Sequence, residues 1–387
     1  MSAVIAISGA TVLSGEGPVE NGVLVVDGER IAAVGRRSAI DIPDGARLVD
    51  GTGLLLAPGL IELQLNGGFG HDFTEQPASI WAVGARLPEH GVTAFLPTVI
   101  SSPPATVVAA RAVLAAGPAP GYRGAVVLGL HLEGPFLSPH AAGAHDPHLL
   151  RAPDPALVAD WTPGGGVLMA TVAPELDGAL ELIEMLADAG VIVSAGHSAA
   201  SYEQGAAAIE AGVRYATHLL NAMPQLDKRA PGLAGALLDD GRVTIGVIAD
   251  GIHLHPAVLR LVDRACGRAR LSAVTDATAA LGMPAGTYTL AGGPVVLDGT
   301  SVRRPDGRLA GSALTADEAL RRLAALTGRG PADALAAMTE VPARLLGISS
   351  ERGTLAAGAR ADLLLITPRL EVVATFIGGE EVHSAWR

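Results

Sequence analysis

The sequence predicts an α/β fold: a (β/α)8 TIM-like barrel with a small β-sandwich domain built from both chain ends. Eight apolar runs alternate with Ala-rich segments of helical length. The runs are mostly continuous in Val, Ile, Leu and Ala, which is typical of parallel strands that are covered on both faces. Polar residues end six of the runs, and barrel enzymes carry their reactive groups at the carboxyl ends of their strands.

Composition and charge limit the class of protein. The chain has 387 residues and is 49% hydrophobic and 17% charged, so it can bury a large core and is neither disordered nor fibrous. Its formal net charge of −12 argues against a nucleic-acid partner, because nucleic acids are bound through Lys and Arg. The uncharged stretch 277–297 is interrupted by Gly and Pro, so we expect loop and strand there and no membrane association.

The cysteine count and the N-terminal residues predict a cytoplasmic protein. Cys266 is the only cysteine, which excludes an internal disulfide and a zinc site built from cysteines alone. Residues 1–7 have no basic segment before their apolar residues and do not read as a secretory signal. Any metal must therefore be bound by histidines and carboxylates.

Short apolar runs at the two chain ends predict the strands of one small β domain. A few strands need a second layer to cover their apolar face, so neither end is expected to be stable alone. We expect residues 1–55 plus 350–387 to form the β-sandwich and residues 56–349 to form the barrel. The runs lie at 4–7, 23–27, 31–34, 47–50, 361–366 and 371–379.

Between the chain ends, the apolar runs predict the barrel strands and the Ala-rich segments predict its helices. Strand candidates lie at 54–65, 91–99, 125–133, 166–174, 190–197, 213–221, 243–253 and 270–276. Helix candidates lie at 76–90, 103–116, 176–189, 200–211, 256–267, 315–327 and 331–346.

Six of the predicted strands end in a polar residue. A charged group at the end of a buried strand must be paired, hydrated or bound to a metal, since burying it alone costs several kcal/mol or more. The carboxyl ends of barrel strands meet at one mouth, so we expect these side chains to converge. They are Gln64 on strand 1, Glu133 on strand 3, His197 on strand 5, His218 on strand 6, His253 on strand 7 and Asp276 on strand 8.

Glu133, His197 and His218 are candidate metal ligands. One carboxylate and two imidazoles suit Zn²⁺ or Fe²⁺ and leave a coordination position open for water. Each residue alone also fits a role in the core or as a cap. Three such residues on strands 3, 5 and 6 need a common partner, which favours the metal.

Asp276 is the candidate general acid/base. It follows strand 8, where it is expected to face the metal across the barrel mouth. From there it can take a proton from metal-activated water and return it to a leaving group. The alternative is that Asp276 caps a helix that begins at Ala277, and the predicted metal site opposite favours the base.

Seven short motifs run through the chain: HLEGPF at 131–136, GHS at 196–198, THLLNAMP at 217–224, PGLAG at 231–235, DGIH at 250–253, TDA at 275–277 and LAGS at 309–312. They resemble the motifs of the N-acetylglucosamine-6-phosphate deacetylase family, and their order and spacing match through essentially the whole chain. This family belongs to the amidohydrolase superfamily, whose fold is a metal-bearing (β/α)8 barrel beside a small β-sandwich.

The resemblance implies a metal-dependent amidohydrolase that converts N-acetyl-D-glucosamine 6-phosphate to D-glucosamine 6-phosphate and acetate, in amino-sugar catabolism and cell-wall sugar recycling. Glu133, His197 and His218 would bind one divalent ion per chain, with Zn²⁺ favoured over Fe²⁺, Mn²⁺ or Co²⁺. Asp276 would be the catalytic acid/base for metal-activated water, and His145 would help to polarise the acetyl carbonyl.

The same resemblance implies the substrate contacts and a homodimer. Arg229 and His253 would reach the phosphate from the neighbouring subunit, although Arg229 alone also fits a solvated surface charge. The implied substrate-binding residues are Ala144, His145, Asn221, Ala222, Arg229, Asp250, His253, Leu309, Ala310 and Gly311.

Gln64 is the informative departure from the wider superfamily. Strand 1 often ends there in His-x-His and holds a second metal, whereas this chain has Gln64 and Asn66 in the sequence ELQLNGG at 62–68. We therefore read Gln64 as the vestige of a second metal site and expect one tightly bound ion. Leu220 stands where the family usually has an aromatic residue, which affects sugar packing and not the chemistry.

Two other functions stay open from the sequence. One is a deacetylase of another amino-sugar phosphate, such as N-acetylgalactosamine 6-phosphate, or another N-acyl or cyclic amide hydrolase on the same fold. The other is a non-catalytic scaffold, which the presence of Glu133, His197, His218 and Asp276 together argues against.

Overall fold

The computed structural model describes residues 4–14 and 17–386, so residues 1–3, on which part of the N-terminal reading rests, lie outside it. Numbered along the chain, the strands are β1 (Ile5–Ser14), β2 (Gly17–Asp27), β3 (Arg30–Arg36), β4 (Arg47–Asp50), β5 (Leu55–Pro58), β6 (Leu60–Leu65), β7 (Gly67–Gly68), β8 (His71–Asp72), β9 (Val92–Ile100), β10 (Val126–Val127), β11 (Leu130–Glu133), β12 (Val167–Val172), β13 (Ile192–Ala195), β14 (Val213–Ala216), β15 (Thr244–Ile248), β16 (Leu271–Val274), β17 (Gly286–Leu290), β18 (Gly293–Leu297), β19 (Val302–Arg303), β20 (Leu363–Ile366), β21 (Val372–Ile377) and β22 (Glu380–Ser384).

The helices are α1 (Ile80–Gly84), α2 (Pro104–Ala116), α3 (Pro155–Val158), α4 (Ala179–Asp188), α5 (Tyr202–Ala211), α6 (Gly232–Asp239), α7 (Pro256–Arg270), α8 (Ala316–Thr327), α9 (Pro331–Ala336) and α10 (Glu340–Leu345). Short 3-10 turns lie at Pro77–Ser79, Leu87–His90, Pro139–Ala141, Pro147–Leu149 and Pro163–Gly165. Within the described ranges, no helix combines the length and the apolar character needed to cross a membrane.

Eight parallel strands form the barrel, in the order β6, β9, β11, β12, β13, β14, β15 and β16. Every residue of β6 and β9 is buried, as expected for strands that are covered on both faces. The sheet returns to strand 1 just beyond β16, where Leu65 pairs with Ala277 and the Asp276 N–H donates to the Gln64 carbonyl at 2.9 Å. The predicted TIM-like barrel is confirmed.

Strands from both chain ends share a second sheet. Its order is β22, β21, β20, β5, β1, β2 and β3, and β4 pairs with β1. Apolar residues pack on both faces, with Ile7, Leu24 and Phe376 in one cluster and Ala6 and Val23 in another. The expected joining of the two ends is therefore observed, whereas the division of the chain into 1–55 plus 350–387 and 56–349 stays a prediction.

A three-stranded antiparallel sheet, β17–β18–β19, stands at the barrel mouth. It fulfils the expectation of loop and strand for 277–297. Leu290, Val295 and Val302 of this sheet pack with Ile100 and Ala310. This apolar contact places Leu290 in the wall of the cavity at the mouth.

The same sheet also forms hydrogen bonds with the loop that follows β6, the first strand of the barrel. The Asp72 carboxylate accepts the Ala291 N–H at 2.7 Å with one oxygen and the Thr74 N–H at 2.8 Å with the other. Asp72 is buried, so both bonds are shielded from water. The hairpin of β17 and β18 is thereby fastened to the barrel body.

Proline and glycine account for the elements whose predicted limits differ from the structure. The helix expected at 76–90 is broken into α1 and two 3-10 turns, one of which contains Pro88. The helix expected at 331–346 stops at Ala336 and resumes at Glu340, because Pro342 has no N–H with which to continue a single helix. The run 54–65 contains two strands of different sheets, separated at Gly59.

Candidate active site

Three side chains converge at the barrel mouth and form a metal-binding cluster. Glu133 Oε1 lies 3.1 Å from His197 Nε2 and 3.0 Å from His218 Nε2, and the two Nε2 atoms are 3.0 Å apart. One ligand atom from each residue lies within 4.8 Å of the others, and all three residues are buried. The structure thus brings together the three residues that the sequence predicted as ligands.

The hydrogen bonds of the cluster fit a divalent cation. His197 Nδ1 is 3.0 Å from the Ala141 carbonyl, so it donates there and its Nε2 presents a lone pair. Two imidazole nitrogens and a carboxylate oxygen that face one another at about 3 Å need a positive charge between them. A donor set of two imidazoles and one carboxylate is one that Zn²⁺ and related ions accept.

The surroundings keep Glu133 ionised. Burial acts to raise its pKa, but the neighbouring imidazoles of His197 and His218 outweigh burial and hold the pKa well below the usual value. Gln64 Nε2 also donates to Glu133 Oε1 at 3.1 Å. Gln64 therefore acts here as a hydrogen-bond donor to the carboxylate.

His197, His218 and Asp276 all stand on sharp bends just beyond their strands. Strand β13 ends at Ala195, β14 at Ala216 and β16 at Val274, so each side chain comes two residues after a strand end. Their φ angles are 48°, 29° and 48°, which lie in the left-handed region that non-glycine residues rarely adopt. Such strain at three site residues is typical of functional sites. The bends turn these side chains into the mouth, and nothing in the sequence pattern announced them.

Asp276 is held by two side-chain amides. Its Oδ1 accepts from Asn66 Nδ2 at 2.7 Å and from Gln64 Nε2 at 3.2 Å. Burial, and next the charge of Glu133, raises the pKa of Asp276 to about 6. A carboxyl group with such a pKa can both take and return a proton near neutral pH. Asn66 was not assigned a role from the sequence, although its alternation with Gln64 repeats the spacing of a His-x-His pair.

His145 is arranged as a neutral hydrogen-bond donor. The Ser101 N–H donates to His145 Nδ1 at 3.3 Å, and the Ser101 hydroxyl lies 2.9 Å from the same atom. A backbone N–H cannot accept, so Nδ1 carries the lone pair and Nε2 carries the hydrogen. Burial, and next the neighbouring His197 ring, lowers the pKa of His145 to about 3, so the ring stays neutral. Its Nε2 points to the cluster, 3.9 Å from Glu133 Oε2. Ser101 was missed by sequence reasoning.

Asp250 fixes His253. One carboxylate oxygen of Asp250 accepts the N–H groups of Ile252 and His253 at 2.8 Å, and the other accepts from His253 Nδ1 at 2.7 Å. His253 lies in the wall of the cavity of its own chain. Barrel strand 7 (β15) thus brings His253 to the mouth of its own chain, whereas its expected contribution to a neighbouring subunit stays a prediction.

These residues surround one cavity of about 130 Å³. None of the residues in its wall is a lysine or an arginine. Of the predicted substrate contacts, Asp250 and Ala310 lie behind the wall, and Arg229 is exposed on a loop outside it. The wall consists of Asn66, Ile100, Glu133, Gly143, Ala144, His145, His197, His218, Asn221, Ala222, Ile248, His253, Asp276, Leu290, Leu309 and Gly311.

Two arginines hold the loop that carries His145. Arg304 donates to the Ala144 carbonyl, and Arg308 donates to the Gly143 carbonyl at 3.1 Å. Gly143 also needs to be glycine, because its φ is +57° and a Cβ would lie 3.0 Å from a ring carbon of His197. The loop is thus fixed at its backbone, close to one of the cluster histidines.

Comparisons with known proteins agree with this geometry. The sequence profile of the amidohydrolase family matches residues 55–382. N-acetylglucosamine-6-phosphate deacetylase of Danio rerio is 41% identical over 356 residues, which cover 88% of this chain and 86% of that protein. N-acetylgalactosamine-6-phosphate deacetylase of Escherichia coli O157:H7 is 38% identical and covers 84% of this chain and 87% of that protein.

The fold has a solved counterpart as well. The structure of a mutant N-acetyl-D-glucosamine-6-phosphate deacetylase from Mycobacterium smegmatis, in complex with N-acetyl-D-glucosamine-6-phosphate, superposes with a TM-score of 0.90 at 35% identity. The match covers 99% of this chain and 100% of that one. The chain therefore belongs to the amidohydrolase family, within the group that contains the N-acetylglucosamine-6-phosphate deacetylases.

Proposed function

We propose that this enzyme hydrolyses the N-acetyl group of N-acetyl-D-glucosamine 6-phosphate to give D-glucosamine 6-phosphate and acetate. The observation that carries the proposal is the convergence, in one cavity, of a Glu-His-His metal cluster, a carboxyl group with a raised pKa and a neutral imidazole N–H. Amide hydrolysis needs these three: an activated water, a proton shuttle and a donor to the oxyanion.

The protein groups divide the chemistry among themselves. Glu133, His197 and His218 hold one divalent ion, for which we propose Zn²⁺, and such an ion acts as a Lewis acid and lowers the pKa of water. His145 Nε2–H donates to the acetyl carbonyl oxygen and stabilises the negative charge that develops there. Asp276 takes the proton of the attacking water and gives it to the departing amine nitrogen, so the carboxylate is restored and the products leave as acetate and the amino sugar.

The phosphate group is bound by residues from more than one chain in this proposal. A phosphate needs charge-assisted donors, but no lysine or arginine stands in the described cavity wall. His253, held by Asp250, supplies one donor from the same chain. We propose that Arg229 of a neighbouring subunit supplies the second in a homodimer, because its guanidinium makes no hydrogen bond or ion pair within the described part of its own chain. Asn221 and Ala222 are the proposed wall contacts to the sugar phosphate.

Acetate release from three substrates tests the proposal. The enzyme is purified, its metal content is measured, and N-acetylglucosamine 6-phosphate, N-acetylgalactosamine 6-phosphate and unphosphorylated N-acetylglucosamine are compared by kcat/KM. We expect the first to be the best substrate and the unphosphorylated sugar to be the worst. Faster turnover of the galacto compound would favour the second candidate, which the 38% identity to the Escherichia coli enzyme supports. No turnover with metal bound would overturn both. We further propose a cytoplasmic location, which the single, buried Cys266 suits.

A further inference from the structure

Asn66 is a buried side chain that the chemistry described above does not use. It follows β6 directly and is 3% exposed. Its backbone is fixed on both sides, because its N–H donates to the Ala277 carbonyl at 2.8 Å and its carbonyl accepts the Phe73 N–H at 3.0 Å. The side chain is thus presented to strand 8 from a rigid position.

The amide of Asn66 makes the shortest contact to Asp276. Asn66 Nδ2 donates to Asp276 Oδ1 at 2.7 Å, and Gln64 Nε2 donates to the same oxygen at 3.2 Å. A carboxylate oxygen that accepts two N–H donors cannot also carry a proton directed at them. When Asp276 is protonated, the proton must therefore be carried on Oδ2, and when it is ionised, Oδ2 is the oxygen that is free to accept one.

Asn66 and Gln64 differ in what else they touch. Gln64 also donates to Glu133 Oε1, so a change at Gln64 disturbs the metal cluster as well as Asp276. The only side-chain hydrogen bond of Asn66 within the described residues is the one to Asp276. Of the two amides, Asn66 is the one whose effect acts on proton transfer alone.

We propose that Asn66 is a positioning residue for the catalytic step: its Nδ2–H fixes the orientation of the Asp276 carboxyl group and reserves Oδ2 for proton transfer. The proposal rests on the proposed role of Asp276 as acid/base. An amide suits this task because it has no titration of its own in the pH range of activity, so the donor persists in both states of Asp276.

The test compares Asn66→Leu, which keeps the volume and removes the donor, with the unchanged enzyme and with Ser102→Ala. Ser102 is a matched control, because it is buried near the end of β9 and its hydroxyl has no hydrogen-bond partner within the described residues. We expect Asn66→Leu to lower kcat by roughly 10- to 100-fold, part of the usual effect of a general acid–base. KM should stay within about 3-fold and bound metal per chain should be unchanged, and Ser102→Ala should behave as the unchanged enzyme.

A double-mutant cycle separates positioning from a general structural effect. In an Asp276→Asn background, Asn66→Leu should have little further effect on the residual turnover, because the group through which it acts is gone. An equal loss in both backgrounds, a loss confined to KM, or loss of metal would overturn the proposal.

A crystal structure of Asn66→Leu provides a readout that does not depend on the substrate. We expect the Asp276 carboxyl group to be rotated there and unmoved in Ser102→Ala. If the unchanged enzyme releases no acetate from any amino-sugar phosphate, the proposed function fails, and the Asp276 side chain in this crystal structure still decides the positioning claim. An unmoved Asp276 would overturn it.

Discussion

The tautomers of two site histidines are set by backbone groups. The Ser101 N–H donates to His145 Nδ1, so the hydrogen of that ring is on Nε2, and the Ala141 carbonyl accepts from His197 Nδ1, so the hydrogen of that ring is on Nδ1. Neutral groups thus set the state of both histidines. Asp276 receives its orientation in the same way from Asn66. At the scale of single residues, the reactive groups are preorganised by neighbours that have no charge to lose when the pH changes.

Replacing Asp276 by Asn should separate chemistry from metal binding. The variant keeps the shape of the side chain and removes the proton acceptor, so we expect turnover to fall by ~10²–10⁴ or more. Bound metal should remain, because Asp276 lies outside the Glu-His-His cluster. Steady-state kinetics and elemental analysis of the same preparation measure both. Near-normal turnover would mean that another residue shuttles the proton.

Replacing Glu133 by Gln should have the opposite pattern. A charged ligand becomes a neutral amide, so we expect the metal to be lost together with activity. Elemental analysis should give about one tightly bound ion for the unchanged chain, because Gln64 offers an amide to Glu133 and Asp276 in place of imidazole. Two tightly bound ions that are both required for activity would contradict the prediction, based on Gln64, that the chain has one metal site.

At the scale of elements, the apolar runs predicted the barrel strands well because most residues of these strands are buried. The ends of the strands were predicted less accurately than their positions. The runs 213–221 and 243–253 end as strands at Ala216 and Ile248. Buried residues such as Leu219 and Ala249 continue the apolar composition beyond these ends, so composition does not distinguish them from strand residues. Helix α6 escaped because two of its eight residues, Gly232 and Gly235, are poor helix formers.

The candidate site was predictable to a different degree. Glu133, His197, His218 and Asp276 were found because charged or metal-binding residues are rare at strand ends. Ser101 and Asn66 were not, since their contributions are a backbone N–H and an amide whose partners lie far away in sequence. The residue type alone does not indicate such a contact, because only the fold brings the partner near.

The hairpin at the mouth yields a prediction of its own. The two carboxylate oxygens of Asp72 accept the N–H groups of Thr74 and Ala291. Asp72→Asn replaces one of these oxygens by an N–H₂ group, which cannot accept, so one backbone N–H loses its partner. We expect the free energy of unfolding to fall by about 1–3 kcal/mol, the cost of one unsatisfied buried donor. Chemical denaturation measures it. Glu75→Gln is the control: Glu75 is exposed and contacts Thr289 of the same hairpin, so its change should stay near 0.5 kcal/mol. Equal effects would show that burial of Asp72 is unimportant.

At the scale of the whole molecule, the charge distribution supports the proposal that a second subunit completes the site. The chain is acidic overall, with a net charge of −12, and the described cavity wall contains no lysine or arginine. A phosphorylated substrate is repelled by such a surface unless cations are brought to the mouth. We propose the loop with Lys228 and Arg229 as their source, because both residues are exposed and lie outside the cavity wall of their own chain.

Arg229→Ala tests this arrangement. We expect KM for the phosphorylated sugar to rise roughly 10- to 100-fold, the effect of one charge-assisted contact, with little change in kcat or for the unphosphorylated sugar. Lys228→Ala removes an adjacent exposed charge and should change KM little. Light scattering should give a dimer for all three proteins. A fully active monomer would exclude a phosphate contact across subunits.

The left-handed bends after β13, β14 and β16 have a consequence for protein engineering. His197, His218 and Asp276 belong to these bends and not to the strands that precede them. Each of these three strands therefore only sets the position at which its bend begins. A designer could replace these three strands by those of another barrel and keep the reactive groups in place. Each bend would have to be transplanted whole, with the reactive residue two positions after the end of the strand. Moving the same three side chains onto straight strand ends would aim them elsewhere.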